Sequence, residues 1–270
     1  MDSGSGGMAS PILGDRLLSL PIPDNRSDIR YSALMVDQRT SYGALISQLS
    51  GKRMRFAHLD PDLVEEDLDR HPGWRPTFGQ TGAALSHLRS EGVGVGDLFL
   101  FFGWFREAEK DRGKWTYKPK GLNAHILFGY LEIGQIVDLD HEEPPEWARN
   151  HPHCQPTFTW NSGGNALFIA EEKSSFWPGK PGAGIFPFDE SLILTTAGSS
   201  RRSDWELPAC FFNEDDSCKL SYHRHKQAGS AIKAGHYGVK AANRGQEFVG
   251  EMNEGMVEWV RKLASSHPKE

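Results

Sequence analysis

Cysteine is scarce in this chain, with three in 270 residues at Cys154, Cys210 and Cys218. No Cys-x-x-Cys pair occurs, so neither a zinc ribbon nor a disulfide framework is indicated, and reduced thiols in a cytoplasmic protein are expected. Long apolar runs are missing too. The longest, Leu98 to Phe105, has eight residues, far short of the roughly 20 that a membrane helix needs. The start carries no basic segment followed by an apolar stretch, so no secretory signal is seen. An excess of positive charge is also absent. The net charge of -6 argues against a long face that grips duplex DNA. The acids are concentrated: five (Asp62, Glu65, Glu66, Asp67, Asp69) follow Asp60 against one Arg70, and Glu214, Asp215 and Asp216 add three more. Outside those segments the chain is near neutral, so a local cationic pocket drawn from Arg75, Arg106 and Arg244 is compatible with the total. Several standard catalytic patterns are missing as well. There is no Gly-x-Ser-x-Gly elbow, and the Gly92 to Gly96 turn precedes a strand, which is the wrong order for a dinucleotide site.

What is present points to an α+β chain, counted as one domain over residues 1–270. A mixed or antiparallel sheet with flanking helices is expected, one that could close into a barrel. Residues 1–10 are expected to be flexible. Helices are predicted after Thr40, after Asp60-Pro61, over Gly79 to Glu91 and over Glu254 to Ala264. Leu98 to Phe105 reads as a buried strand, 106–121 as a surface loop, and Ala124 to Val137 as further strand interrupted by Gly129 and Gly134. Glycines inside strands mark bulges or the close approach of another backbone. The aromatic strand, the loop and the glycine-bearing strand together resemble the core of PUA-like barrels. That resemblance implies a nucleotide or modified base in an aromatic pocket. Trp104 and Arg106 at the strand end would suit stacking on a base beside a phosphate, whereas Phe99, Phe101 and Leu127 read as core.

Four constellations could carry chemistry. His58-x-Asp60-Pro61-Asp62 places an imidazole and two carboxylates at a strand end. That set suits a divalent metal or a general acid/base pair. The plainer alternative is that Asp60 caps a helix and Asp62 complements its dipole. Gly79-Gln80-Thr81-Gly82 opens the helix that bears His87. Its backbone N–H groups could receive a phosphate and Gln80 could meet a base edge, or the glycines could simply permit a turn. It is not a P-loop, since the Lys-Ser/Thr ending is missing. His151-Pro152-His153-Cys154, with His223 and His225, contains imidazoles and a thiol able to hold zinc. The spacing fits no standard finger, and loop histidines are the plainer reading. Arg244-Gly245-Gln246-Glu247 offers a cation, an amide and a carboxylate within four residues, suited to a base edge plus a phosphate or to a salt bridge within a turn.

Ordered blocks along the chain carry a wider resemblance. They are Ser10-Pro11-Ile12-Leu13 with Leu20-Pro21-Ile22-Pro23, then His58-Leu59-Asp60-Pro61-Asp62, then Gly73-Trp74-Arg75-Pro76 running into Phe78-Gly79-Gln80. Ser86-His87-Leu88, Phe101 to Arg106, Leu220-Ser221-Tyr222-His223 and Arg244 to Val249 follow. Over about residues 2–260 the chain is similar to the nucleotide modification associated domain of the third type, a bacterial and phage family. Relatives are expected to carry a further strand and a basic Arg-Lys-Gly-Phe turn ahead of the Asp-Ser that here is Asp2-Ser3. The resemblance implies a role in making or handling modified nucleotides or DNA bases. The residues therefore assigned to catalysis are His58, Asp60, Asp62, His223 and Glu247. Those assigned to nucleotide binding are Gly79, Gln80, Gly82, His87, Trp104, Arg106, Arg244 and Gln246. The expected partner is a nucleotide or modified base, free or within nucleic acid, with no membrane, and a divalent metal is an open option. Three readings compete: an enzyme or accessory factor, a non-catalytic reader of a modified base, and an assembly protein. Acids and histidines converging in one cleft would favour the first, and an aromatic cage beside a basic rim the second.

Overall fold

The computed structural model describes residues 7–156, 164–214, 217–223, 231–233, 235–241 and 247–263. In chain order, β1 (Ser10–Leu13), β2 (Arg16–Leu17) and β3 (Ile22–Pro23) precede α1 (Tyr42–Ser50) and β4 (Ala57–His58). Then come β5 (Thr77–Thr81), α2 (Gly82–Ser90), β6 (Leu98–Asp111), β7 (Lys114–Tyr117) and β8 (Asn123–Asp138). The rest are β9 (Asn165–Ala170), β10 (Ala183–Ile185), β11 (Asp204–Pro208), β12 (Ala231–Lys233), β13 (His236–Lys240) and α3 (Glu254–Leu263). The α+β expectation therefore holds. The main sheet runs β2-β1-β6-β8-β9-β5, with β7 added on β6 and β10 on β8. It is mixed, because β1 lies parallel to β6 while the other pairs are antiparallel. The path stays open among the described residues, so the barrel option is not realised. Smaller sheets β11-β13-β12 and β3-β4 flank it. No helix among the described residues is long and apolar enough to cross a membrane.

The spine is the pairing of β6 and β8, whose aromatic and β-branched residues suit a pleated, buried surface. Gly134 falls where the β8–β9 register slips between Ile133 and Gln135, and a Cβ there would stand 2.9 Å from the Glu171 backbone. The strand glycine thus marks a bulge and a close backbone approach together. Residues 106–121 differ from the expected loop. β6 continues to Asp111, turns through Arg112 and Gly113, both at positive φ, and returns as β7. The ribbon is polar because its outer end is solvated, while Trp115 and Tyr117 pack on apolar neighbours below.

Two of the predicted helices move. α1 begins one residue later than expected, with Ser41 accepting from Ala44 N–H, and Gly51 closes it in the left-handed conformation. The helix expected after Asp60-Pro61 is replaced by a single 3-10 turn, Glu65–Asp67. The reason is a competing bridge. Asp62 and Thr77 exchange both backbone hydrogen bonds at 2.9 Å, which draws the segment along the sheet instead of into a coil. α2 likewise starts at Gly82, because Gly79, Gln80 and Thr81 pair with β9.

Two apolar cores result. The larger gathers β6, β8, β9, β11 and α3; in it Phe78 of β5 meets the rings of Phe99, Phe101 and Phe168 at 5.1 to 6.0 Å. The smaller packs α1 and β4 around Tyr31, Leu34, Leu45 and Ile46. A cavity of about 460 Å3 opens on the seam between them. Leu18, Tyr42 and Leu59 of the smaller core face Leu63, Phe128 and Phe186 of the larger.

Candidate functional site

β4 ends at His58, and the chain delivers Asp60 next to β5. Asp60 does not cap a helix. Its Oδ1 accepts the Gly79 backbone N–H at 2.9 Å. Three imidazoles surround the carboxylate: His58 Nε2 lies 3.7 Å and His153 Nε2 3.4 Å from Oδ2, and His151 Nε2 lies 3.5 Å from Oδ1. All four residues are buried. The two sequence segments His58–Asp60 and His151–His153, some ninety residues apart, thus form one cluster, and the histidines of the second are buried in the β8–β9 connection rather than on the surface. A buried 3-10 turn, Pro152–Cys154, presents both histidines. Cys154 stays out of the group of metal-competent donors, which is His58, Asp60 and His153. Burial, reinforced by the Asp60 charge, pushes its thiol up to about 12.

The ring orientations follow from their partners. Asn165 Nδ2 donates to the His153 carbonyl at 2.8 Å, so its Oδ1 is the acceptor that faces His153 Nδ1 at 2.7 Å. His153 Nδ1 therefore carries a proton, and its Nε2 is the nitrogen aimed at Asp60. His151 is the reverse: its Nδ1 accepts the His153 backbone N–H, which leaves the proton on Nε2, facing Oδ1. Behind His58, the Asp24 carboxylate lies 3.9 Å from Nδ1. Burial would raise the Asp60 carboxyl, but the His151, His153 and His58 contacts outweigh it and hold the group well below the usual range. Burial lowers His151, against the opposing pull of Asp60. The cluster also explains Gly79. A Cβ there would stand 2.3 Å from the His153 ring, so glycine is needed to let that ring lie on the strand.

Asp62, grouped with Asp60 in the sequence, belongs elsewhere. It takes both Arg70 guanidinium nitrogens at 2.6 and 2.7 Å, with Trp74 Nε1 at 3.4 Å. Burial nevertheless raises its carboxyl, more than Arg70 lowers it. A recess of about 20 Å3, roughly one water in size, lies among Asp62, Arg70, Trp74 and His151.

Of the remaining predicted residues, Gln80 projects from the face of β5 opposite Gly79, since side chains alternate along a strand. Gln80 Nε2 donates to Glu247 Oε1 at 2.7 Å, and His87 Nε2 meets Ser221 Oγ at 2.9 Å. His87 stacks on Tyr222 and His223 on Phe248. Gly82 is the first residue of α2, its N–H on the Gly164 carbonyl. Trp104 and Arg106 sit along β6 rather than at its end. The Arg202 guanidinium lies over Trp104 and Arg106 over Tyr117, so each cation already faces a ring of this chain. Arg75 donates to the Ala170 carbonyl. Arg244, Gln246 and His225 lie outside the described residues.

Sequence reasoning missed Asp67, which it counted only among the acids of the helix expected after Asp60-Pro61. Asp67 is buried in the cavity wall, accepts from Tyr42 Oη at 3.0 Å, and is pushed by burial up to about 6. Leu59, Asp60 and Pro61 are wall to the same cavity, so the segment that holds the cluster also lines the chamber. The only available sequence signal was the Asp60 to Asp67 spacing across a stretch too apolar at Leu63, Val64 and Leu68 for a solvated helix face.

Comparison with known families is decisive on ancestry. Residues 1–251 match the model of nucleotide modification associated domain 3. No curated protein and no solved structure matches the chain. The chain belongs to the nucleotide modification associated domain 3 family.

Proposed function

We propose that this protein acts on a nucleotide or modified base, and that the cavity on the seam between the two cores is where that molecule binds. The observation that carries the reading is adjacency: Leu59, Asp60 and Pro61 are wall to a chamber of about 460 Å3, and the Asp60 carboxylate, buried behind that wall, is faced by three imidazoles. That size falls within the usual range for small-molecule sites. The chamber is largely apolar, as a base requires, and its polar groups are few. Arg16 could face a phosphate. Asp67, its carboxyl raised to about 6, could donate to or accept from a base edge near neutral pH. This arrangement supports an enzyme or accessory factor over a reader, whose aromatic cage would need open ring faces. The aromatic candidate for that role, Trp104, has the Arg202 guanidinium over its ring, and Arg106, its proposed cation, lies over Tyr117.

The test is a thermal-shift and calorimetric screen of nucleosides, nucleotides and modified bases. At least one class should bind. Ser19→Phe, which places a ring in the chamber from its wall, should abolish that binding with the fold retained by circular dichroism. Binding that survives Ser19→Phe would place the ligand elsewhere. A screen with no binder of any class would favour the assembly role instead.

A further inference from the structure

We propose that His58, Asp60 and His153 form a binding site for one divalent transition-metal ion of zinc type. The inference stands apart from the nucleotide reading, since ion uptake is measured with no nucleotide present. The first argument is donor spacing. Two ligands held about 2.1 Å from a tetrahedral ion stand about 3.4 Å apart. His153 Nε2 and His58 Nε2 lie 3.4 and 3.7 Å from Asp60 Oδ2, and the three donor atoms all fall within 4.8 Å of one another. Those separations are long for hydrogen bonds and suited to a shared ion.

The second argument is electrostatic. Asp60 Oδ2 is buried and has no hydrogen-bond partner among the described residues. With its proton on Nδ1, His153 turns the Nε2 lone pair toward that anionic oxygen. Two lone pairs facing across 3.4 Å repel, so a positive charge belongs between them, either a second proton on His153 or a metal ion. No Lys or Arg pairs with Asp60 among the described residues; its charge partners there are the three histidines.

The third argument is the surrounding shell. Ligating histidines typically pass their other ring nitrogen to a carbonyl or carboxylate oxygen, which fixes orientation. Asn165 Oδ1 does this for His153, and the Asp24 carboxylate stands behind His58. Asp60 Oδ1 is held by Gly79 N–H and faced by His151 Nε2–H, leaving Oδ2 for the ion. His151 and Asn165 are thus positioning residues. Two imidazoles and one carboxylate make a borderline donor set that suits zinc, cobalt or iron rather than calcium or magnesium. The three donors found among the described residues are the number that catalytic zinc sites take from protein, with a fourth position for water or substrate.

The experiment uses the full chain, stripped with a chelator and checked for fold by circular dichroism. Zn2+ and Co2+ are then titrated, with bound metal counted by mass spectrometry. One ion should bind per chain, and Co2+ should show the visible spectrum of a four- or five-coordinate ion rather than the hydrated one. Asp60→Asn and His153→Gln should abolish stoichiometric uptake. Asn165→Ala should weaken affinity about 10- to 100-fold, and His141→Gln, an exposed histidine beside Asp138, should change nothing. Should Asp60→Asn fail to fold, the Asn165→Ala shift and the wild-type cobalt spectrum still decide. A folded, stripped protein that takes up neither ion at pH 6 to 8 would overturn the proposal in favour of a doubly protonated His153, as would unchanged uptake by His153→Gln.

Discussion

The two faces of β5 carry polar groups of the same kinds and settle them differently. On one face Gln80 and Glu247 form an ordinary short hydrogen bond, and His87 finds Ser221. On the other, Asp60 lies 3.4 to 3.7 Å from each of three histidines, and two buried atoms, Asp60 Oδ2 and His151 Nε2, have no hydrogen-bond partner among the described residues. Buried polar groups are normally satisfied. On the first face these bonds tie β5 to Glu247 and α2 to Ser221. The second is organised for something that the protein alone does not supply. The contrast separates a polar network that holds a fold from one that holds a ligand.

The largest expected effect tests that difference in stability. Asp60→Ala removes the carboxylate on which three imidazoles and the Gly79 N–H depend, and should cost about 3–5 kcal/mol in urea unfolding. Glu247→Ala removes one partly buried hydrogen bond and should cost about 1 kcal/mol. Equal losses would erase the distinction between the faces.

Next in size is the pH response of the cavity wall. Burial raises the Asp67 carboxyl from its ordinary 3.8 to about 6. The folded state therefore binds this proton more tightly than the unfolded state. Stability falls as pH rises through that window, and the deficit persists above it. Asp67→Asn has no such proton to lose. It should match the native protein near pH 4 and exceed it by up to about 3 kcal/mol at pH 7 to 8. A stability difference that does not vary with pH would show that Asp67 ionises freely and is not held in an apolar wall.

The smallest effect is the most local. Gly79→Ala drives a Cβ into the His153 ring and should cost about 1–3 kcal/mol. In a double-mutant cycle with His153→Ala most of that penalty should disappear, because the clash partner is gone. Gln80→Ala, one residue along on the opposite face, should show no coupling to His153→Ala. Coupling there would mean that the two faces are one network.

Much of this was legible beforehand. The Leu98 to Phe105 run, the bulge at Gly134, the stop at Gly51 and the amphipathic helix at 254–263 are written in local pattern, because periodicity, aromatic content and glycine placement act over a few residues. His58 and Asp60 were recognisable as chemistry-bearing for the same reason: they are neighbours in sequence. Asp62 was misassigned because neighbours in sequence need not face one point, and a bridge to Thr77 together with Arg70 takes it away.

The sequence alone determined the fold class and the family and singled out His58 and Asp60 as candidates, since these depend on residue identity and short-range spacing. Tertiary structure alone decided which members meet. The pairing of β5 with β9 lays Gly79 beside Asp60 and Asn165 beside His153, and the turn at Pro152–Cys154 brings two histidines to a carboxylate some ninety residues earlier. No local periodicity encodes such a meeting, because register between distant strands is set by the packing of both faces at once.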